Sequence, residues 1–314
     1  MSQVSKFLRN LLFFLIIVVI VDSLLGYSLQ TIYFSQKKGQ FAQTTYSVDS
    51  THQDVLIFGS SRAVRHYSPS IISKALHLSC YNVGRDGQMI PYYAALQETI
   101  FKRYKPKLVI LDINPWELSP GEEKYEKLSI LFPYCRQHPE LTSYMSNSSS
   151  PWEKYKLLSR TYPYNSSLFI LGYNTIFAGK VQEDDNGYVP LPGQMSQAAL
   201  NDYNERVKNS SENEGDESTV IDERALAYYE QFLRNTDKAN IKTYVVISPM
   251  PLKQATNYNI RKFMQVASKF RNVTFLNYSI DPKYNYQYAK FADIFHLNKQ
   301  GSEEFTNDLI QQIK

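Results

Sequence analysis

A serine in a tight turn is the first candidate nucleophile in this sequence. The apolar run Val55–Phe58 leads directly into Gly59-Ser60-Ser61-Arg62. A serine in a glycine-led turn at the start of a helix projects its hydroxyl beside free backbone N–H groups, the arrangement that acyl transfer requires. Two serines before a helix also serve simply as an N-terminal cap. The turn therefore permits nucleophilic catalysis without requiring it.

A candidate general base lies near the other end of the chain. Asp293 and His296 are three positions apart on a predicted loop before the last helix. A serine nucleophile needs a base, and the base needs a third group that fixes its tautomer, so this pair supplies both. A metal site on the same pair would need a third ligand, and none has a recognisable spacing. Since nucleotide-binding glycine patterns are also missing, we expect no metal and no cofactor.

The elements that must bring these residues together are typical of an α/β protein. Four short runs rich in Val, Ile, Leu or Phe resemble buried parallel strands: Val55–Phe58, Leu108–Ile113, Tyr244–Ile247 and Val273–Leu276. Helical periodicity occupies Pro91–Tyr104, Asp222–Asn235, Asn257–Phe270 and Ser302–Lys314. This alternation predicts a three-layer α/β/α sandwich around a mostly parallel sheet. Ligands of such sheets meet the carboxyl ends of the strands, where the Ser61 turn would lie.

One long stretch interrupts the alternation of strands and helices. Residues 115–221 hold both tryptophans, many tyrosines and prolines, and a polar loop at 208–219. We interpret this stretch as an insertion. Because it begins directly after Asn114, at the sheet end where the nucleophile should emerge, we expect it to cover the active site and set substrate choice.

The amino-terminal segment predicts membrane attachment. Lys6 and Arg9 precede the apolar run Leu11–Val21, and apolar residues continue to Leu29. No A-x-A-like cleavage site follows, so residues 1–29 are predicted to be an uncleaved signal anchor, with a cleaved signal peptide or a buried core helix as alternatives. The early positive charges predict a single-pass protein of the cytoplasmic membrane with its remaining residues on the extracytoplasmic side. Residues 30–53 are predicted to be a polar linker, which leaves a folded domain at 54–314.

Composition excludes several classes of protein. Of the 314 residues, 34 are Lys or Arg and 30 are Asp or Glu, a balance that argues against nucleic acid as the partner. The hydrophobic content of 43% excludes collagen-like and wholly disordered chains. The two cysteines, Cys80 and Cys135, are too few for a disulfide scaffold, although export would permit them to pair. The 25 tyrosines suit a sugar-binding surface or an aromatic core equally well.

Four short motifs, in order, resemble the blocks of the SGNH (GDSL-like) hydrolase family. Gly59-Ser60-Ser61 is similar to the Gly-Asp-Ser block, with Ser in place of Asp, and Asn82 to Gly87 fits the second block. Asn114 is the one residue retained of the third block, Gly-x-Asn-Asp, and Asp293 with His296 fits the last, Asp-x-x-His. The matched regions are 54–114 and 241–314. The resemblance implies a flavodoxin-like SGNH fold.

The resemblance also implies roles for individual residues. Ser61 would be the nucleophile, His296 its base and Asp293 the group that orients the base. The oxyanion would be held by the backbone N–H groups of Ser61 and Gly87 and by the side-chain amide of Asn114. Alternatively, Asn114 starts a turn before a proline and Gly87 is only a turn glycine. Arg62 and His66, close to Ser61, are candidate substrate-pocket residues or packing residues.

Three functions fit these features. The first is an exported serine esterase acting on O-acyl groups, with an acylated small molecule or a cell-envelope glycan as substrate. The second is an acyltransferase that delivers the same acyl group to a polysaccharide hydroxyl; such an enzyme should hydrolyse model esters poorly. The third is a non-catalytic binding or assembly module, against which the complete set of Ser61, Asp293 and His296 argues.

Overall fold

A single parallel sheet organises the protein. The computed structural model describes residues 3–146, 152–177, 184–201, 204–205, 220–253 and 257–313. Its five strands are all parallel, in the order β2-β1-β3-β4-β5. Their bounds are β1 Val55–Phe58, β2 Cys80–Asn82, β3 Leu108–Asp112, β4 Lys242–Ile247 and β5 Val273–Asn277. The predicted α/β class with a parallel sheet is confirmed.

Helices connect and cover these strands. The α-helices are α1 Gln3–Phe34, α2 Gly39–Asp49, α3 Ser61–His66, α4 Pro69–Leu76, α5 Ile90–Arg103, α6 Glu123–Glu126, α7 Leu141–Ser146, α8 Glu153–Lys156, α9 Leu168–Ile176, α10 Glu223–Lys238, α11 Tyr258–Ala267 and α12 Lys299–Ile313. Within the described residues, 3₁₀ segments occupy Lys127–Tyr134, Tyr162–Ser167 and Tyr288–Lys290.

The sheet is buried on both faces because successive side chains alternate between two apolar clusters. Leu56, Phe58, Val109 and Leu111 pack with α5, α10 and α11. Val55, Ile57, Leu108 and Ile110 pack on the opposite face with α3, α4 and α12. Helices on both faces complete the predicted three layers. Cys80 and Cys135 belong to opposite clusters and are both free, so they do not pair.

The carboxyl ends of the central strands meet closely at Gly59. This residue follows β1 with φ of +151°, and a Cβ added there would lie 2.7 Å from Ala63 Cβ and 2.8 Å from the Asp112 carbonyl oxygen. Only glycine leaves room for α3 to start directly beside the end of β3. The chain can therefore turn from β1 into α3 within two residues.

The first helix is long and apolar enough to cross a membrane. Its most apolar 18-residue window has a mean hydropathy of 2.4, and 6% of that window is buried. A signal sequence near the N-terminus has the same properties. α1 is therefore a candidate membrane anchor, as the sequence predicted.

Residues 30–53 differ from the expected polar linker. This stretch contains the end of α1 and the whole of α2, whose Phe41, Thr44 and Val48 are buried. These residues recur at helical spacing, but half of the buried face consists of small polar side chains, which conceals the pattern in the sequence. The folded region thus continues into α1 without an extended stalk, and Tyr33 is buried in the same cluster as α5.

Candidate active site

Three side chains from two distant parts of the chain form a hydrogen-bonded row. Ser61 Oγ lies 2.8 Å from His296 Nε2. On the other side of the imidazole, His296 Nδ1 lies 2.9 Å from Asp293 Oδ2 and 3.0 Å from Oδ1. A carboxylate on Nδ1 favours the tautomer that carries its proton there, which leaves Nε2 free to accept the serine proton.

Local structure presents Ser61 at the start of α3. Ser60 is the N-cap residue, with extended backbone dihedrals, and its Oγ accepts a hydrogen bond from the Arg62 N–H at 3.4 Å. Ser61 is the first residue of the helix and is half-buried. Its side chain thus lies beside the first backbone N–H groups of α3, which have no acceptor within the helix.

Backbone N–H groups of the Asp293–His296 loop bind the Asp293 side chain and so fix its position. Asp293 Oδ1 accepts hydrogen bonds from the N–H groups of Phe295 at 2.7 Å and His296 at 2.9 Å. Partial burial alone would raise the pKa of Asp293, but the hydrogen bond and charge of His296 and these backbone donors outweigh it and lower the pKa below the usual value. Asp293 is therefore ionised at neutral pH, as an orienting carboxylate must be.

Arg62 and His66, the candidate substrate-pocket residues, are both buried. His66 contacts the end of this loop, and both side chains bind Ser248. The Arg62 guanidinium lines the cavity beside Ser61 but donates to Ser248 Oγ at 3.0 Å and to the Ser248 carbonyl oxygen. His66 Nε2 accepts the N–H of Leu297 at 3.0 Å, so Nδ1 carries the proton and donates to Ser248 Oγ at 3.0 Å. Burial, followed by nearby Arg62, lowers the pKa of His66 well below its usual value. The packing interpretation is the one that these contacts favour.

The three candidate oxyanion donors lie around one cavity of about 200 Å³. Ser61, Gly87 and Asn114 all line it, together with His296. The turn that carries Gly87 is fixed to the end of β1, since the Arg85 N–H donates to the Gly59 carbonyl at 3.0 Å. Gly87 has φ of +73°, a conformation that favours glycine.

The amide of Asn114 already has two acceptors. Its Nδ2 donates to Ser60 Oγ at 3.1 Å and to Glu117 Oε1 at 2.8 Å. An oxyanion bound in the cavity would compete with the neutral hydroxyl of Ser60 for one of these N–H groups. A charged acceptor forms the stronger bond, so this exchange is favourable.

Glu117 is a site residue that sequence reasoning missed. Its carboxylate is fully buried and accepts four hydrogen bonds. Oε1 accepts from the Asn114 backbone N–H at 3.0 Å, from the Asn114 side chain at 2.8 Å and from Tyr93 OH at 3.3 Å. Oε2 accepts from the Ile90 N–H at 2.9 Å. Burial raises the pKa of Glu117 to about 7, against the opposing effect of the Asn114 donors. An acidic residue three positions after Asn114 was the only available signal.

The remaining walls of the cavity combine aromatic, apolar and polar side chains, and Gln88 and Ser60 are among the polar ones. The rings of Trp116 and Phe295 meet edge to face with their centroids 6.2 Å apart, and Met89 and Lys127 also line the cavity. Trp116 and Lys127 come from the predicted insertion at 115–221. Among the described residues, no group of three His, Cys, Asp or Glu side chains is placed to hold a metal ion.

Comparison with known proteins adds little to this geometry. No family model and no curated protein matches the sequence. One similar solved structure, described as a candidate platelet activating factor from Streptococcus pneumonia, has 11% identity and a TM-score of 0.40, covering 98% of this chain and 99% of its own.

Two further similar structures are acetyl xylan esterases. AlAXEase has 10% identity and a TM-score of 0.39, covering 83% of this chain and 100% of its own. The enzyme from the rumen bacterium Butyrivibrio proteoclasticus has 10% identity and a TM-score of 0.36, covering 82% of this chain and 62% of its own. At such values a likeness carries no functional argument, so function has to be argued from the site.

Proposed function

We propose that this protein is a serine-dependent acyl-ester hydrolase of the SGNH type. The observation that carries the proposal is the row Ser61–His296–Asp293, with 2.8 Å from hydroxyl to imidazole and 2.9 Å from imidazole to carboxylate. These are the distances that a nucleophile and its base need before reaction.

The reaction would proceed in two acyl-transfer steps. His296 Nε2 takes the Ser61 proton while Oγ attacks the ester carbonyl, and Asp293 stabilises the imidazolium that forms. The imidazolium then protonates the departing alcohol, which leaves an acyl group on Ser61. Water, deprotonated by the same Nε2, attacks this acyl-enzyme, and the imidazolium returns the proton to Ser61 Oγ as the C–O bond breaks and the acid leaves. No step needs a metal or a cofactor.

Three hydrogen-bond donors would stabilise the negative charge that develops on the carbonyl oxygen of the substrate. These are the backbone N–H groups of Ser61 and Gly87 and the side-chain amide of Asn114, as the family resemblance implies. Each such donor lowers the barrier by about 3–4 kcal/mol when it is preorganised. Glu117 would keep the Asn114 amide in place, since its Oε1 accepts from the same Nδ2 that donates to Ser60 Oγ.

The substrate class follows from the cavity and the anchor. A volume of about 200 Å³ with aromatic walls suits a short acyl group on a larger alcohol that extends into solvent. With α1 in the cytoplasmic membrane and the folded region on the extracytoplasmic side, O-acylated cell-envelope glycans are the substrates within reach. The basic residues Lys6 and Arg9 before the apolar run support that orientation.

Ester hydrolysis by the full chain in detergent tests this function. We expect release of p-nitrophenol from p-nitrophenyl acetate by the wild type and by Ser60→Ala, and almost none by Ser61→Ala. Ser60 is the matched control because it is the adjacent serine but makes no hydrogen bond to His296. Equal activity in Ser61→Ala and wild type would exclude Ser61 as the nucleophile. Slow hydrolysis that an added sugar acceptor accelerates, with acylated sugar as product, would indicate the acyltransferase instead.

A further inference from the structure

Besides α1, a second segment outside the active site exposes several large apolar side chains. We call this segment, residues 152–177, the collar; it contains α8, a 3₁₀ turn and α9. Leu158 is 80% exposed and Phe169 is 95% exposed. α9 has no charged residue, and of its nine residues only Leu171 is buried. A helix of this kind is not stable in water alone, so its outer surface needs a partner.

The collar is attached directly to the anchor helix. Asp22, the single acid of α1, accepts hydrogen bonds from Ser159 Oγ at 2.6 Å, the Arg160 N–H at 2.7 Å and the Thr161 N–H at 3.2 Å. One turn later, Gly26 lies so close to Arg160 that an added Cβ would be 2.4 Å from Arg160 Cβ. The position of the collar along α1 is therefore fixed.

The contact continues along the last turns of α1. The ring centroids of Tyr33 and Tyr164 are 5.5 Å apart. Beyond the helix end, Gln36 Nε2 donates to Thr175 Oγ1 of α9 at 3.4 Å. The collar thus runs beside α1 from Asp22 to its end.

The length of the apolar run places this contact at membrane depth. From Leu11, the first residue of the run, 19 residues reach Leu29 and span about 28 Å, close to the roughly 30 Å of a hydrocarbon core. Asp22 and Gly26 lie within that stretch. A carboxylate at this depth raises the free energy of the protein unless hydrogen bonds stabilise it, and the collar supplies the hydrogen-bond donors for Asp22. The apolar surface next to these donors then faces lipid.

We propose that the collar lies in the membrane, in the leaflet next to the folded region, with lipid as the occupant of its apolar surface. This inference rests on the anchoring role proposed for α1. The composition of the collar near α8 suits an interface: Trp152 and Tyr155 are the aromatic type enriched there, and Lys154 suits phosphate headgroups. The folded region would then sit directly on the bilayer and act on substrates at its surface.

Spin labels on the full chain in phosphatidylcholine–phosphatidylglycerol liposomes test this placement. Single cysteines replace Ile17 in α1, Leu158 and Phe169 in the collar, and Met264 on α11, which packs on the far edge strand β5. Cys80 and Cys135 are buried, and the unsubstituted protein measures their background labelling. For each label, collision rates with oxygen, which concentrates in lipid, are compared with those of a water-soluble nickel chelate.

We expect the labels at 17, 158 and 169 to favour oxygen and the label at 264 to favour the nickel chelate. If the label at 17 favours oxygen while either collar label favours the nickel chelate, the collar proposal is wrong and the anchor stands. If the label at 17 also favours the nickel chelate, both fail. Collar labels shielded from both reagents would show a protein partner in place of lipid and would also overturn the proposal. The hydrolase proposal is independent of all these results.

Discussion

At the scale of single residues, Ser61 and His296 share one hydrogen bond and so should act as one unit. We expect Ser61→Ala and His296→Ala each to lower kcat by roughly 10⁴-fold or more, and the double variant to be little worse than either. Steady-state hydrolysis of p-nitrophenyl acetate measures this, with Ser60→Ala as the control of modest effect. Losses that multiply in the double variant would contradict a shared mechanism.

Asp293 has an orienting role in this account, and its replacement distinguishes that role from metal binding. Asp293→Asn removes the charge that stabilises the imidazolium and favours the wrong tautomer, so kcat should fall by about 10⁴-fold while the thermal unfolding temperature changes little. Chelator should leave wild-type kcat unchanged. Loss of wild-type activity with chelator, restored by a divalent ion, would instead indicate a metal site.

Glu117 should affect both catalysis and the pH dependence of stability. Its folded pKa of about 7 exceeds the unfolded value of 4.5, so the folded protein retains a proton that the unfolded chain releases between these pH values. The free energy of unfolding should therefore decrease as pH rises from 4.5 to 7, by about 3 kcal/mol for this group, and Glu117→Gln should remove that decrease. Denaturant unfolding across this pH range measures it.

Catalysis by Glu117→Gln separates positioning from folding. A glutamine offers one oxygen where the carboxylate offers two, so it cannot satisfy both Asn114 and the Ile90 N–H. We expect kcat to fall roughly tenfold to a hundredfold with KM little changed, a smaller loss than removal of an oxyanion donor. A wild-type kcat in this variant would show that Glu117 does not position Asn114.

At the scale of elements, the turn from β1 into α3 depends on Gly59. Gly59→Ala combines an unfavourable φ with clashes against Ala63 and the Asp112 carbonyl, and should cost about 2 kcal/mol or more of stability. Gly121→Ala is the matched control, because Gly121 has a similar φ of +158° with no atom within 4 Å of the added Cβ. Equal unfolding temperatures for the two variants would contradict this explanation.

The sequence predicts strands that are continuous apolar runs. It does not predict a helix whose buried face mixes apolar and polar residues. The runs predicted as β1, β3, β4 and β5 are strands in the structure. β1, β3 and β4 are buried parallel strands, which are apolar on both faces, and β5 is a half-buried edge strand with an apolar run of the same kind. α2 lies in the stretch that the sequence predicts as linker, since two of its four buried residues, Thr44 and Ser47, are polar and obscure its apolar face. Glu117 could not be found from sequence, since its role depends on strands β1 and β3 and the start of α5 meeting at one point.

At the scale of the whole molecule, the sheet brings together residues that the chain separates widely. Ser61 and His296 are 235 positions apart, yet their motifs could be paired in advance because parallel strands end at the same edge. The collar could not be predicted in this way, since it is defined by contact with α1. α1, the candidate anchor, contacts the folded region directly through residues such as Tyr33 and Asp22.

The most direct test of the central claim is covalent labelling of the full chain in detergent by a fluorophosphonate, with the adduct located by mass spectrometry. An activated serine beside its base attacks this phosphorus, and an ordinary surface serine does not. We predict one adduct, on Ser61, in the wild type and in Ser60→Ala, and none in His296→Ala. An adduct on another serine, or undiminished labelling of Ser61 in His296→Ala, would contradict the account.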